Sequence, residues 1–367
     1  MSTKLSGDQL EVTIDGATSE VESYLQANKD SWDYTPTNGS RSVIKYFDAN
    51  SVFVTDKSFT MSEFRVAGQY TRTKSPTWTT TDDVTEVQAD AGRFGSASAT
   101  ALNQWYAAFA CADEGDVTVS TQAVPFLRVR SVAANVLTLG HAGLGDDELG
   151  GLLAAATYTW TPSELVGVDV LVISEGTLAG KFNILGSRRT TITAATTTTV
   201  TLADVGTIGA RDWILPAPSG FDFFRYLGSF YFDTAEVTNI YDSGSLVRYT
   251  GVANANFTNN YQGSQASAVA IKLGGYISPL ATAAVLETKY TLATASTGSI
   301  FENFGGDVSH FYDNRYMQKD AAGNQSVRHN NIPVTFLWRQ EYGYKNSGTL
   351  AANKAFDEHY VYGWVEQ

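Results

Sequence analysis

The sequence predicts an all-β protein: a β-sandwich or jelly-roll-like domain, a small β-barrel or sandwich inserted within it, and a polar N-terminal leader. Three observations predict this. Thr, Val, Tyr, Phe and Gly recur in short runs separated by turn residues, and aromatic residues make up 12% of the 367-residue chain. Helix formers are sparse. The stretch "SGFDFFRYLGSFYFD" at 219–233 is too apolar on both of its alternating faces for a strand with one wet side.

Residues 1–60 form the leader. In "TSEVESYLQAN", Ser19 and Glu22 have capping-box spacing, while Val21, Tyr24 and Leu25 fall at i, i+3 and i+4. A short helix is expected there, either a docking element or a plain surface helix. The sandwich begins at 61–126, with strand signals in "EFRVAGQYTRT", "VTEVQADAG" and "NQWYAAFACADEGDVTVST".

The texture changes over 127–211. "LRVRSVAANVLTLG" and "RRTTITAATTTTVTLAD" each read as a strand, a polar turn and a second strand, the signature of a hairpin. Between them, "VGVDVLVISEGTLAGKFNILG" reads as two strands about a Gly-containing turn. In "DDELGGLLAAA", Leu149, Leu152 and Leu153 have helical spacing, against which the Gly pair argues. This window is the expected inserted domain.

The second part of the sandwich is 212–367. It opens on the aromatic stretch, where Gly228 in mid-strand signals a bulge or a close backbone approach. Before any bulge is allowed for, Phe224, Tyr226, Phe230 and Phe232 share one face, and Phe221, Phe223, Leu227 and Tyr231 the other. One face belongs to the domain core, and the other to a second layer or a neighbouring subunit. The chain closes on "EHYVYGWVEQ", an ending inside a sheet with Trp364 buried.

Composition excludes several functions. The formal charge is −13, and no window gathers enough Lys and Arg to follow a phosphate backbone, so nucleic acid is not an expected partner. The single cysteine, Cys111, admits no intrachain disulfide and reads as a small buried apolar residue in "WYAAFACA". The start "MSTKLSGDQLEVTIDG" lacks the apolar core of a signal peptide, and no segment approaches the roughly 20 apolar residues that span a bilayer. Synthesis in a cytoplasm followed by release through lysis, as for virion proteins, reconciles that start with an extracellular-looking composition.

Four segments carry a resemblance. "NQWYAAFACADEGDV", "LPAPSGFDFFRYLGSFYFD", "ISPLATAAVLE" and "YVYGWVE" resemble a β-sandwich module of tailed-bacteriophage virion proteins, especially tail fibres and related surface appendages. The matching positions are Trp105, Tyr106, Phe109, Gly220, Arg225, Gly228, Ala281 and Trp364, within 95–125 and 212–367. In that family the first two blocks lie close together, whereas here 127–211 separates them, as an insertion in a surface loop would. The resemblance implies a homotrimer bound to other virion proteins at the virion surface.

Catalytic signals are weak. His141, His310, His329 and His359 are too scattered for a metal signature, and Asp307, His310 and Asp313 in "GGDVSHFYDNRY" fit a solvated turn better than a ligand set. Asp146 and Asp147 in "GLGDDELG" are adjacent, not held apart across a cleft as glycoside hydrolysis requires. No nucleophile-elbow, zinc-helix or phosphate-loop motif occurs. No catalytic residue, metal or cofactor is expected. Phe257 and Tyr261, in the Asn-rich "ANANFTNNYQG", are the candidate receptor contacts, since aromatic faces beside amides suit sugars; the alternative is a loop anchored in a core or interface. The function expected is a non-enzymatic surface fibre, spike or decoration of a virion, with host-surface adhesion. A lectin-like module for host glycans is the first alternative, and a polysaccharide-cleaving tailspike the second, though the long repeats of a β-helix are missing.

Overall fold

The computed structural model describes residues 2–6, 9–14, 17–20, 44–48, 51–54, 61–63, 73–74, 84–86, 104–113, 120–140, 155–158, 160–173, 188–206, 208–218, 221, 223–233, 236–237, 240–242, 246–249, 267–273, 276–281, 283–292, 298–305, 311–319, 326–335, 341–348 and 354–365. These residues are almost entirely β, and every strand pair among them is antiparallel. The one helical element among them is a 3-10 turn at Pro162–Leu165. No helix of the described residues is long and apolar enough to cross a membrane.

The leader contains strands. β1 (Ser2–Ser6), β2 (Gln9–Ile14) and β3 (Ala17–Glu20) form a three-stranded sheet. Ser19, the expected helix cap, pairs with Val12 in that sheet. The competing signal is the Asp15-Gly16 dipeptide between the register partners Ile14 and Ala17, which favours a tight hairpin over a helix start. Val21, Glu22, Tyr24 and Leu25 lie outside the described residues. A second small sheet joins β4 (Ile44–Asp48), β5 (Ser51–Val54) and β8 (Val84–Glu86).

The aromatic stretch is β17 (Phe223–Asp233), in the centre of a sheet ordered β10-β9-β17-β6-β7. It lies between β9 (Gln104–Ala112) and β6 (Met61–Glu63), with β10 (Ser120–Pro125) beyond β9 and β7 (Thr73–Lys74) beyond β6, and β18 (Glu236–Val237) pairs with its end. The expected irregularity is present: Tyr226 pairs with Phe109 and Gly228 with Ala108, so Leu227 is the extra residue of a bulge, and Gly228 has φ 153°. That residue exchanges the faces. Tyr226 therefore shares a face with Tyr231, while Phe230 and Phe232 lie on the other with Tyr106, which corrects the grouping expected from strict alternation.

Over Tyr226–Phe232 both faces of β17 are buried by this chain itself, from Tyr226 at 3% exposure to Tyr231 and Phe230 at 0%. Of the two covers expected for the second face, a second layer or a neighbouring subunit, a layer of the same chain covers these residues. On one face Trp105 meets Tyr231 and Trp364. On the other, Tyr106 stacks on Phe230, and the Gln104 side-chain amide beside it donates to Tyr158 Oη, 3.3 Å away. Cys111 is buried in β9, where a small apolar residue fits.

The second layer holds Trp364. A five-stranded sheet runs β19 (Ile240–Asp242), β20 (Leu246–Tyr249), β27 (Lys354–Val365), β22 (Ala283–Leu292), β25 (Ser326–Thr335). Ala284 pairs with Trp364 but Leu286 pairs with Val361, so a bulge in β27 returns Trp364 to the face of Val361. Gly363, inside this irregularity, is sterically required. A Cβ there would fall on the Val247 carbonyl oxygen of β20. Gly363→Ala is expected to cost more than the roughly 1–3 kcal/mol of ordinary overpacking, read as a lowered denaturant midpoint. A loss under about 1 kcal/mol would mean that β20 can move aside at little cost.

A four-stranded sheet, β21 (Val269–Lys272), β26 (Glu341–Ser347), β23 (Gly298–Gly305), β24 (Phe311–Lys319), packs on the same five-stranded layer near His359.

The small domain is a closed six-stranded barrel ordered β11-β12-β15-β14-β13-β16. Its strands are β11 (Leu127–Ala133), β12 (Val136–Gly140), β13 (Asp169–Ile173), β14 (Arg188–Ala195), β15 (Thr199–Leu202) and β16 (Trp213–Pro216). Both expected hairpins are present, as β11–β12 and β14–β15. Val129, Leu139, Val200, Ile192, Val172 and Ile214, one from each strand, are buried in it. The closing strand β16 lies past residue 211 and pairs Leu127 with Ile214. At that seam the buried Arg128 guanidinium sits 4.8 Å from the centre of the Trp213 ring.

Candidate functional site

Most side chains in the sandwich are apolar, so polar groups at its centre stand out. Alternation in β23 puts Ile300, Glu302 and Phe304 on the buried face, and alternation in β26 does the same for Tyr342, Tyr344 and Asn346. Register then places Glu302 opposite Asn346 and Phe304 opposite Tyr344. His359 of β27 faces them from the other layer and has no exposed surface.

The hydrogen bonds form two short chains. Tyr344 Oη donates to Glu302 Oε1 at 3.0 Å and accepts from Asn346 Nδ2 at 2.9 Å. Tyr342 Oη and His359 Nδ1 share a bond of 2.6 Å whose direction follows the imidazole tautomer. The Tyr344 ring meets the His359 ring edge-on, with centroids 4.6 Å apart. This is the best-formed polar constellation among the described residues, and it joins two sheets.

Its chemistry is structural. Glu302 and Asn346 are each 1% exposed, so a substrate in water has no access to the carboxylate. Buried polar groups that satisfy one another fix a particular pairing of layers, because any shift leaves a desolvated donor or acceptor at a cost of about 1–3 kcal/mol. No group of three or more potential metal ligands occurs among the described residues.

The residues singled out in the sequence fare differently. Phe257 and Tyr261, the candidate receptor contacts, lie outside the described residues, as do Asp146, Asp147, Asp307, His310 and His141. Asp313 is in β24 and His329 in β25, on different sheets. His359 is brought into a defined polar environment. Sequence reasoning passed over Glu302, Tyr342, Tyr344 and Asn346. A signal was present: Glu302 occupies an apolar slot in "SIFENF", and "EYGYKN" puts three hydrogen-bonding groups on one face.

No family model matches the chain, and no curated protein matches it. Among solved structures, the dimeric latent PorU of Porphyromonas gingivalis is similar over 76% of this chain and 26% of that one, at 10% identity and a TM-score of 0.19. The chain thus spans far less than two thirds of that protein's length, and a TM-score so low carries no argument about fold or function.

Proposed function

We propose that the protein is a non-enzymatic structural component of a tailed-phage virion: a surface fibre, spike or decoration, held to other virion proteins as a homotrimer, with adhesion to host-surface glycan as an accessory role. One observation carries the reading. The segments of the resemblance, distant in sequence, supply neighbouring parts of one aromatic core. Trp105 of β9 meets Trp364 of β27 edge-on at 5.0 Å, Gly228 forms the bulge of β17 beside β9, and Ala284 of β22 pairs with Trp364. Chance likeness of scattered segments gives no reason for such convergence. Because Tyr226–Phe232 of β17 are covered on both faces by their own chain, the three-fold contact of this reading uses another surface.

The test is location. Antibody-labelled imaging of intact particles of the phage encoding the chain should decorate the particle surface at regular positions. Protein confined to the soluble fraction of infected cells, with none in purified particles, would overturn the proposal. Release of reducing ends from host polysaccharide by the purified chain would favour the tailspike reading instead.

A further inference from the structure

Two crossings of the chain join the barrel to the sandwich, and neither is built as a linker. On the way in, β10 ends at Pro125 and β11 begins at Leu127, so Phe126 alone separates a strand of the sandwich from a strand of the barrel. The Phe126 amide donates to the Trp105 carbonyl at 2.9 Å, one step beyond the pairing of Pro125 with Tyr106, which carries the β9 ladder up to the barrel wall. On the way out, β16 ends at Pro216, and the next residue is still held to the barrel, the Ala217 amide donating to the Asp169 carbonyl at 2.8 Å. Segments that let two domains move apart are exposed, polar and crossed by few contacts. Phe126, Leu127, Trp213 and Ala217 are buried instead.

Gln104 ties the two parts together from the sandwich side. It is the first residue of β9, it pairs with Phe232 of β17, and it is buried. Its Nε2 donates to the Phe126 carbonyl at 3.1 Å and to Tyr158 Oη at 3.3 Å. Tyr158 belongs to the barrel. Its amide donates to the Thr197 carbonyl at 2.7 Å, its ring stacks on Trp160 with centroids 4.3 Å apart, and Trp160 Nε1 donates to the Thr196 carbonyl at 2.7 Å, in the turn between β14 and β15. Parting the barrel from the sandwich would strip the Tyr158 bond from a buried amide and open the contact between the Phe126 and Trp213 rings. One continuous core of buried apolar side chains runs from Val200 and Leu202 in the barrel to Leu286 and Trp364 in the sandwich.

We propose that the barrel and the sandwich fold and unfold as a single cooperative unit, coupled through the buried joint around Gln104, so that binding energy received by the barrel stabilises the sandwich as well. The coupling is independent of the virion reading and acts for any partner that the barrel holds. Energetic coupling between two parts is reciprocal, so weakening either part weakens the other.

Native-state hydrogen exchange of the full chain, read by mass spectrometry on peptides from β15 and from β27, tests this. Leu202 is fully buried, and its amide donates to the Asn135 carbonyl in the β11–β12 turn, at the opposite end of β11 from Leu127 and the joint. Leu202→Ala is expected to speed the slowest exchange in both peptides by the same factor, about tenfold or more. Leu286→Ala in β22, also at a fully buried position, should do the same from the sandwich side. Should either variant leave no folded protein, Leu202→Val and Leu286→Val are read by the same criterion. Acceleration confined to the part that carries the substitution, or clearly larger there than in the other part, would overturn the proposal.

Discussion

Trp364→Ala is expected to lower the free energy of unfolding by about 3–5 kcal/mol, the usual cost of truncating a fully buried Trp or Phe in a core. Trp364 has no exposed surface, and its ring touches Trp105 at 5.0 Å and Tyr249 at 5.5 Å between centroids. Through it the five-stranded layer meets Trp105 in the sheet of β9 and β17. A domain typically has only about 5–15 kcal/mol to lose, so the variant should be soluble but markedly less resistant to urea. Trp105→Ala should cost a similar amount, and the double variant less than the two added together, since each removes the other's neighbour. Circular dichroism against urea measures all three. A change under about 1 kcal/mol for Trp364→Ala would mean that the two layers are held by contacts elsewhere.

Stability should also collapse in alkali. Burial raises the phenols of Tyr106 and Tyr158 well above their ordinary value of 10.0, Tyr158 being pushed further by neighbouring Tyr106 and held back by the hydrogen bond from Gln104. Tyr249 is raised as well, by burial first and then by Tyr231 and Tyr276, while its hydroxyl donates to the Tyr276 carbonyl at 2.7 Å. All three stay protonated in the folded chain at pH values where the unfolded chain has lost those protons. Their contribution is therefore complete below about pH 10 and falls as pH rises above it, by about 1.4 kcal/mol per pH unit for each tyrosine and about 4 for the three together. Urea midpoints taken between about pH 9 and 11 check this, with Tyr106→Phe and Tyr249→Phe each expected to flatten the decline by about a third. A midpoint unchanged across that range would mean that these hydroxyls reach water.

The β character was legible because it is local: alternation, turn dipeptides and β-branched runs act within a few residues. The hairpins of the barrel were legible for the same reason. Its closing strand was not, because "WILP" is buried at all four positions and so lacks the alternation that marks a strand with one covered side. Gly228 announced its bulge, yet the grouping of faces around it required the register with β9, which no single strand contains. Ser19 was misleading because two local signals competed, and the pairing of β2 with β3 prevailed. The polar cluster depended on distance in sequence: Glu302, Tyr344 and His359 meet only after two sheets have been stacked. Each of their strands, taken singly, is an aromatic strand with a polar residue to spare.

The seam that closes the barrel has a consequence for how the chain is threaded. β9 and β17 are partners, Gln104 pairing with Phe232 and Ala112 with Phe223, but the whole barrel lies between them in sequence. Bringing such distant segments together in an open chain carries an entropy cost that grows with the logarithm of the span. Once Leu127 has found Ile214, however, the two ends of the barrel are side by side, and the remaining span shrinks to β10 and the few residues before β17. The barrel then acts on the search for the central ladder as a knot tied in a long rope, shortening the slack before the ends are joined.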